Sequence, residues 1–218
     1  YLQLVLGLSP LAAGLWTIPS AVASVVGSMT APRLVRILRP AHLIGAGLAL
    51  GSLGLALLVQ MEGVAAAVAA TVVSFLGISA VVTLCTDLIV AAAPPERAGA
   101  ASAISETGGE LGGALGIAIL GSIALLLYRL AMTDAEATGL SFTDTLAMAQ
   151  SMPGSSGVEL REAANAAFVL SMRLTAALSA GLTLCAALAA LVLLRRLPAR
   201  ASAEPDLPAV AVAAAAEE

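Results

Sequence analysis

Long uncharged stretches alternate with short polar ones along most of this chain, and the stretches are about as long as a membrane is thick. A helix rising about 1.5 Å per residue crosses a hydrocarbon core about 30 Å thick in roughly 20 residues. Five such spans can be drawn, over residues 11–31, 43–61, 64–87, 98–128 and 166–194. Pro19 inside the first is expected to kink it, which a helical bundle tolerates. Trp16, near its start, suits a membrane interface. No strand-like alternation competes with this reading.

An outer loop over 130–165 separates the fourth span from the fifth. Ser141-Phe-Thr-Asp144 has the spacing of a helix cap and predicts a short surface helix that Pro153 and Gly154 end. Ser156-Gly-Val-Glu159 repeats the pattern and predicts that the last helix starts outside the membrane. After Pro198 the chain is Ala, Pro and Glu without periodicity, which reads as a disordered tail over 198–218.

Composition sharpens the class. The chain is 60% hydrophobic and 11% charged, with a mean hydropathy of +1.00; a soluble domain is about 25% charged. It is therefore expected to be an all-α integral membrane protein whose first partner is the lipid bilayer. It contains no lysine, which rules out a phosphate-binding loop of the Walker type. Cys85, Cys185 and His42 stand apart from one another, so no metal, cofactor or disulfide is expected, and no nucleic-acid partner. Gly154 to Gly157 reads GSSG, as in intramembrane serine proteases, but it lies in a polar turn with no catalytic His after it. The chain is not expected to be an enzyme.

Arginines set the direction of the spans. Arg33, Arg36 and Arg39 lie between spans one and two, Arg97 between three and four, and Arg195, Arg196 and Arg200 after span five. The alternate loops carry Arg129 and Arg161. By the positive-inside rule the first group is cytoplasmic, which places Tyr1 outside and the C-terminus in the cytoplasm.

The chemistry is concentrated in Ser105 to Gly113, SETGGELGG. Glu106 and Glu110 are four residues apart and share one helix face. Gly108, Gly112 and Gly116 form a small-residue line about 200° around the same helix, suited to close approach by a neighbour. If the helix starts near Ala98, Glu106 lies ~12 Å deep and Glu110 ~18 Å deep. An acid at the bilayer centre costs about 2.5–3.5 kcal/mol on insertion scales. The pair must face a cavity, a partner or each other, and such a pair is suited to taking up and releasing protons. Two plainer readings stand beside it: a helix starting near Thr107, with Glu106 in water, and a purely structural hydrogen-bonding pair. Asp87, near the cytoplasmic end of span three, is a candidate gate or cavity residue, or a headgroup-level cap or partner of Arg97.

These residues carry a resemblance. YLQLVLGLSPLAAGLWTIPSA resembles the start of the C-terminal half of the major facilitator superfamily, and is similar to the fourteen-span drug:proton antiporters of bacteria. GSMTAPRLVRILRP looks like a degraded copy of that superfamily's cytoplasmic loop motif, without its acidic residue. The block from Thr86 to Ile123 is similar to the one joining the antepenultimate and penultimate spans. The resemblance implies a C-terminal helical bundle, the last five spans of fourteen, in a bacterial cell membrane. It implies the missing N-terminal half as partner, a small-molecule substrate and protons. It also implies roles in cation recognition and proton coupling for Glu106 and Glu110, and more weakly for Asp87. The expected function is proton-coupled export of cationic or amphipathic drugs by alternating access. The alternatives are a facilitator-fold exporter of an endogenous metabolite or lipid precursor, and a non-transporting scaffold or sensor.

The topology is checked by cysteine labelling in a background with Cys85 and Cys185 replaced by Ala. Ser155→Cys should react with an impermeant thiol reagent in intact cells, and Ala199→Cys should not. Equal labelling of the two would contradict the five-span arrangement.

Overall fold

The structure, a computed structural model, describes residues 1–132, 140–152 and 154–196. Pro153, Arg200, part of the outer loop and the tail from 198 onward lie outside the described residues. Among these residues six α-helices follow in order: α1 (Pro10–Leu34), α2 (Pro40–Val59), α3 (Gly63–Ala92), α4 (Ala98–Ala131), α5 (Phe142–Ser151) and α6 (Ser155–Leu193). Short 3-10 turns at Pro95–Arg97 and Leu194–Arg196 precede α4 and follow α6. Five of the helices, all but α5, are long and apolar enough to cross a membrane. There is no β-strand among the described residues. The protein is an all-α, multi-pass membrane bundle.

Local chemistry explains the helix starts. Ser9 accepts a hydrogen bond from the Ala12 amide, and Pro10 follows it in the first turn, where its missing N–H is harmless. Pro40 likewise stands in the first turn of α2, three residues before the expected span, but Arg39 before it makes no side-chain cap. Ser141 caps α5 by accepting from the Asp144 amide at 3.3 Å, and its hydroxyl donates to the Asp144 carboxylate at 2.6 Å. The cap expected at Ser156 does not form. Gly154 occupies that position with φ +75°, a left-handed conformation open to glycine, and α6 is already under way at Ser155. Both Pro19 and Pro32 lie within α1, which continues through them.

The helices form an arc. α3 packs between α1 and α2, and α2 packs between α3 and α6. α4 touches α3 and α6, and α5 lies on α6. Lipid tails are as apolar as leucine, so helix association relies on close contact and interhelical hydrogen bonds. The α2–α3 seam shows this directly. A Cβ on Gly77 would meet the backbone nitrogen of Gly51 at 2.7 Å, and one on Gly54 would meet the Ala70 carbonyl oxygen at 2.7 Å. Opposite, the Ser52 hydroxyl donates to the Ala180 carbonyl at 2.8 Å and ties α2 to α6.

Two clusters close the arc at opposite ends. At one end, Ala31, Ile44, Val81 and Leu84 interlock α1, α2 and α3, with Ala190 of α6 packed against them. At the other, α5 sits in a pocket of Tyr128, Leu160, Ala164 and Phe168. There the Tyr128 hydroxyl donates to Thr145 Oγ1 at 3.1 Å, and Phe142 stacks on Phe168 at 4.3 Å. Arg33, Arg36, Arg39 and Arg97 are exposed at the first end, and Arg129 and Arg161 at the second.

The seam sets a stability prediction. Gly77→Leu drives a side chain into the α2 backbone and should destabilise the bundle by roughly 1–3 kcal/mol or more. Melting of the detergent-purified protein should fall by several degrees, whereas Gly121→Leu, which meets nothing within 4 Å of its Cβ position, should leave it nearly unchanged.

Candidate functional site

α4 carries both glutamates, and it is unlike the other spanning helices. Tyr128, near its end, is its only buried residue among those described. It is held at two places. Near its start, Ser105 Oγ lies 3.5 Å from Thr86 Oγ1 of α3. Near its end, Tyr128 enters the cluster with α5 and α6. Between these anchors, from Glu106 through Leu115, every residue is exposed.

Glu106 and Glu110 both lie in this uncovered section. One helical turn apart, their Cβ atoms are about 5–6 Å from each other, as for any such pair on an α-helix. Ala98 starts α4, as the depth argument assumed, so both lie well inside the helix rather than at its first turn.

Asp87 is exposed on α3, next in the chain to Thr86. Since Thr86 touches Ser105, and Glu106 follows Ser105, the α3–α4 contact brings Asp87 and Glu106 to one level of the bundle. Glu110 is one turn farther along α4. All three acids lie on the halves of α3 and α4 nearer the end that carries Arg33, Arg36, Arg39 and Arg97. Those arginines are exposed, and the Arg33 guanidinium donates to the Met29 carbonyl of its own helix at 3.1 Å.

Gly108, Gly112 and Gly116 have no atom within 4 Å of where a Cβ would stand. No helix among the described residues packs on that line. The glycines where a Cβ would meet a neighbour are Gly27, Gly45, Gly47, Gly51, Gly54, Gly77 and Gly157. Their signal was present in the sequence as Gly47, Gly51 and Gly54 on α2, facing Ala70, Ser74 and Gly77 on α3. A lone small-residue line does not say which neighbour it meets, and two facing lines are needed to identify a seam.

One functional-looking residue was not singled out from sequence. Arg173 of α6 is partly buried, and its guanidinium donates to the Met61 carbonyl at 3.2 Å, just past the end of α2. A cation there complements the negative end of that helix. Among the described residues, no group of three or more His, Cys, Asp or Glu could hold a metal ion.

Three relatives are informative. The chain is 37% identical over 207 residues to the multidrug efflux pump LfrA of Mycolicibacterium smegmatis, covering 90% of this chain and 41% of that protein. It is 34% identical over 190 residues to the methyl viologen resistance protein SmvA of Salmonella typhimurium, covering 78% of this chain and 37% of that protein. It is 33% identical over 131 residues to the puromycin resistance protein pur8 of Streptomyces alboniger, covering 57% of this chain and 26% of that protein. The chain thus spans about two fifths of the length of the first two. No protein-family model matches it.

Proposed function

Since the chain belongs to the drug:proton antiporter family of the major facilitator superfamily, we propose that it supplies the proton-exchanging part of a secondary transporter that exports cationic or amphipathic drugs. One observation carries this reading: two carboxylates stand one turn apart on an apolar helix, in a section that no helix among the described residues covers. Hydrocarbon cannot host them as charges, so in the working transporter they face a polar cavity or further helices. The names of the relatives, for multidrug efflux and for resistance to methyl viologen and puromycin, support a drug as cargo.

The mechanism follows from competition. A cationic drug and a proton both neutralise a carboxylate, and each disfavours the other. With the site open to the outside, protons bind Glu106 and Glu110 and the drug leaves. With the site open to the cytoplasm, protons leave and a cation is drawn in, with Asp87 at the mouth. Alternating access arises as two helical bundles rock about the site. The rest of the transporter supplies the second bundle, and Gly108, Gly112 and Gly116 form the line on which one of its helices packs. The cytoplasmic C-terminus follows from the arginine asymmetry.

Glu110→Gln in the intact transporter tests this. The amide is nearly the same size, bonds similarly and cannot ionise. Insertion should be normal, because a neutral amide is cheaper to bury than a carboxylate. In inverted vesicles with an imposed proton gradient, export of a cationic drug should fall at least tenfold. Glu106→Gln, nearer the mouth, should be milder and selective among drugs. Wild-type export by Glu110→Gln, with wild-type dissipation of the gradient, would make the acid pair structural.

A further inference from the structure

A second concave feature lies away from the glutamates, along the seam of α1 and α3. Two hollows of about 580 and 450 Å³ adjoin there, sharing Thr17 and Thr71 as common walls. The larger is apolar and has Trp16 on its wall. The smaller lies farther along α1 and is lined by Thr17, Ser20, Ser24, Thr71 and Phe75. Each is within the range of about 300–1,000 Å³ typical of small-molecule sites.

The polar atoms of the smaller hollow are polarised in one sense. Thr17 donates its hydroxyl proton to the Gly14 carbonyl at 2.7 Å, and Thr71 donates to the Val68 carbonyl at 2.9 Å. Ser20 lies 2.8 Å from Thr71 Oγ1. With the Thr71 proton already committed, Ser20 is the donor in that contact. Three of the four hydroxyls therefore keep only oxygen lone pairs for a ligand. No charged side chain lines either hollow.

The aromatic residues point the same way. The chain has one tryptophan and three phenylalanines. Phe142 and Phe168 are stacked on each other. Trp16 and Phe75 are the remaining two, 43% and 50% exposed, and both stand on this cleft. An open π face attracts a cation.

We propose that the α1–α3 cleft is a binding site for an apolar-bodied organic cation, with Trp16 and Phe75 determining its affinity. Oxygen lone pairs and ring faces offer partial negative charge without a formal charge. This suits a cation whose charge is spread over an apolar body. A small hydrated cation finds too few oxygens, and an anion finds no positively charged side chain. The site deepens the exporter reading and rests on it for the class of cargo, but its residues lie on different helices from the glutamates. It would hold a cation while the carboxylates are protonated.

The test uses tetraphenylphosphonium with the intact transporter. Equilibrium binding is measured on purified protein, and export in inverted vesicles, for Trp16→Ala, Phe75→Leu and the conservative Trp16→Phe and Phe75→Tyr, with melting recorded for each. Trp16→Ala and Phe75→Leu should raise Kd and KM about threefold or more, with kcat within twofold, while the aromatic replacements stay near wild type. Unchanged Kd and KM in both truncations would overturn the site and leave the groove to lipid tails. A fall in kcat alone would overturn it too, by making the pair conformational. Wild-type protein that binds the probe with these shifts but exports none would uphold the site and refute the exporter reading.

Discussion

Hydrocarbon gives a carboxylate nothing to bond with, and the arrangement of this protein turns on that fact. Glu106 and Glu110 sit on α4 where a spanning helix should be apolar. Each charge left in lipid costs several kcal/mol. The helix that carries them is also the one that its own bundle leaves bare. α4 is fastened near its start to α3 through Ser105 and Thr86, and at its end to α5 and α6 through Tyr128, with the acids and most of its glycines between. An acid pair on an uncovered section is costly in a finished membrane protein and reasonable on a surface that faces a polar cavity or another bundle.

The same constraint explains what holds the rest together. Apolar burial gives little between helices already in lipid. The arc of α1, α3, α2 and α6 instead depends on backbone approach at Gly27, Gly51, Gly54 and Gly77, with a few hydrogen bonds such as Ser52 to Ala180. Among the described residues, aromatic rings pack on one another at one end, where Tyr128, Phe142 and Phe168 fasten α5 to α4 and α6. That division leaves four helices joined by close backbone approach, and a fifth, α4, that is bare from Glu106 through Leu115.

Much of this was legible in the sequence, because its signals are long and redundant. Five apolar runs specify five spanning helices, and Ser141 with Asp144 specifies the cap of α5. The α4 acids and the glycine line were visible because charge is so rare there. What was not legible depends on pairing between distant segments. The α2–α3 seam needs Gly51 to be known to face Gly77, and the Arg173 contact joins α6 to Met61, 112 residues away. The start of α6 depended on the left-handed Gly154, whereas the hydroxyl pattern around Ser156 suggested a later cap. Nor does any local pattern place Trp16 and Phe75 on one cleft.

Competition between drug and proton for the α4 carboxylates is the central claim, and it has a direct signature. Adding a cationic drug to the purified intact transporter in weakly buffered solution, near the pH at which the acids are protonated, should release protons in a saturable way. The released amount should fall as pH rises and the carboxylates are already ionised, and it should vanish when both Glu106 and Glu110 are replaced by Gln. Saturable binding of the drug with no proton release at any pH would contradict the account.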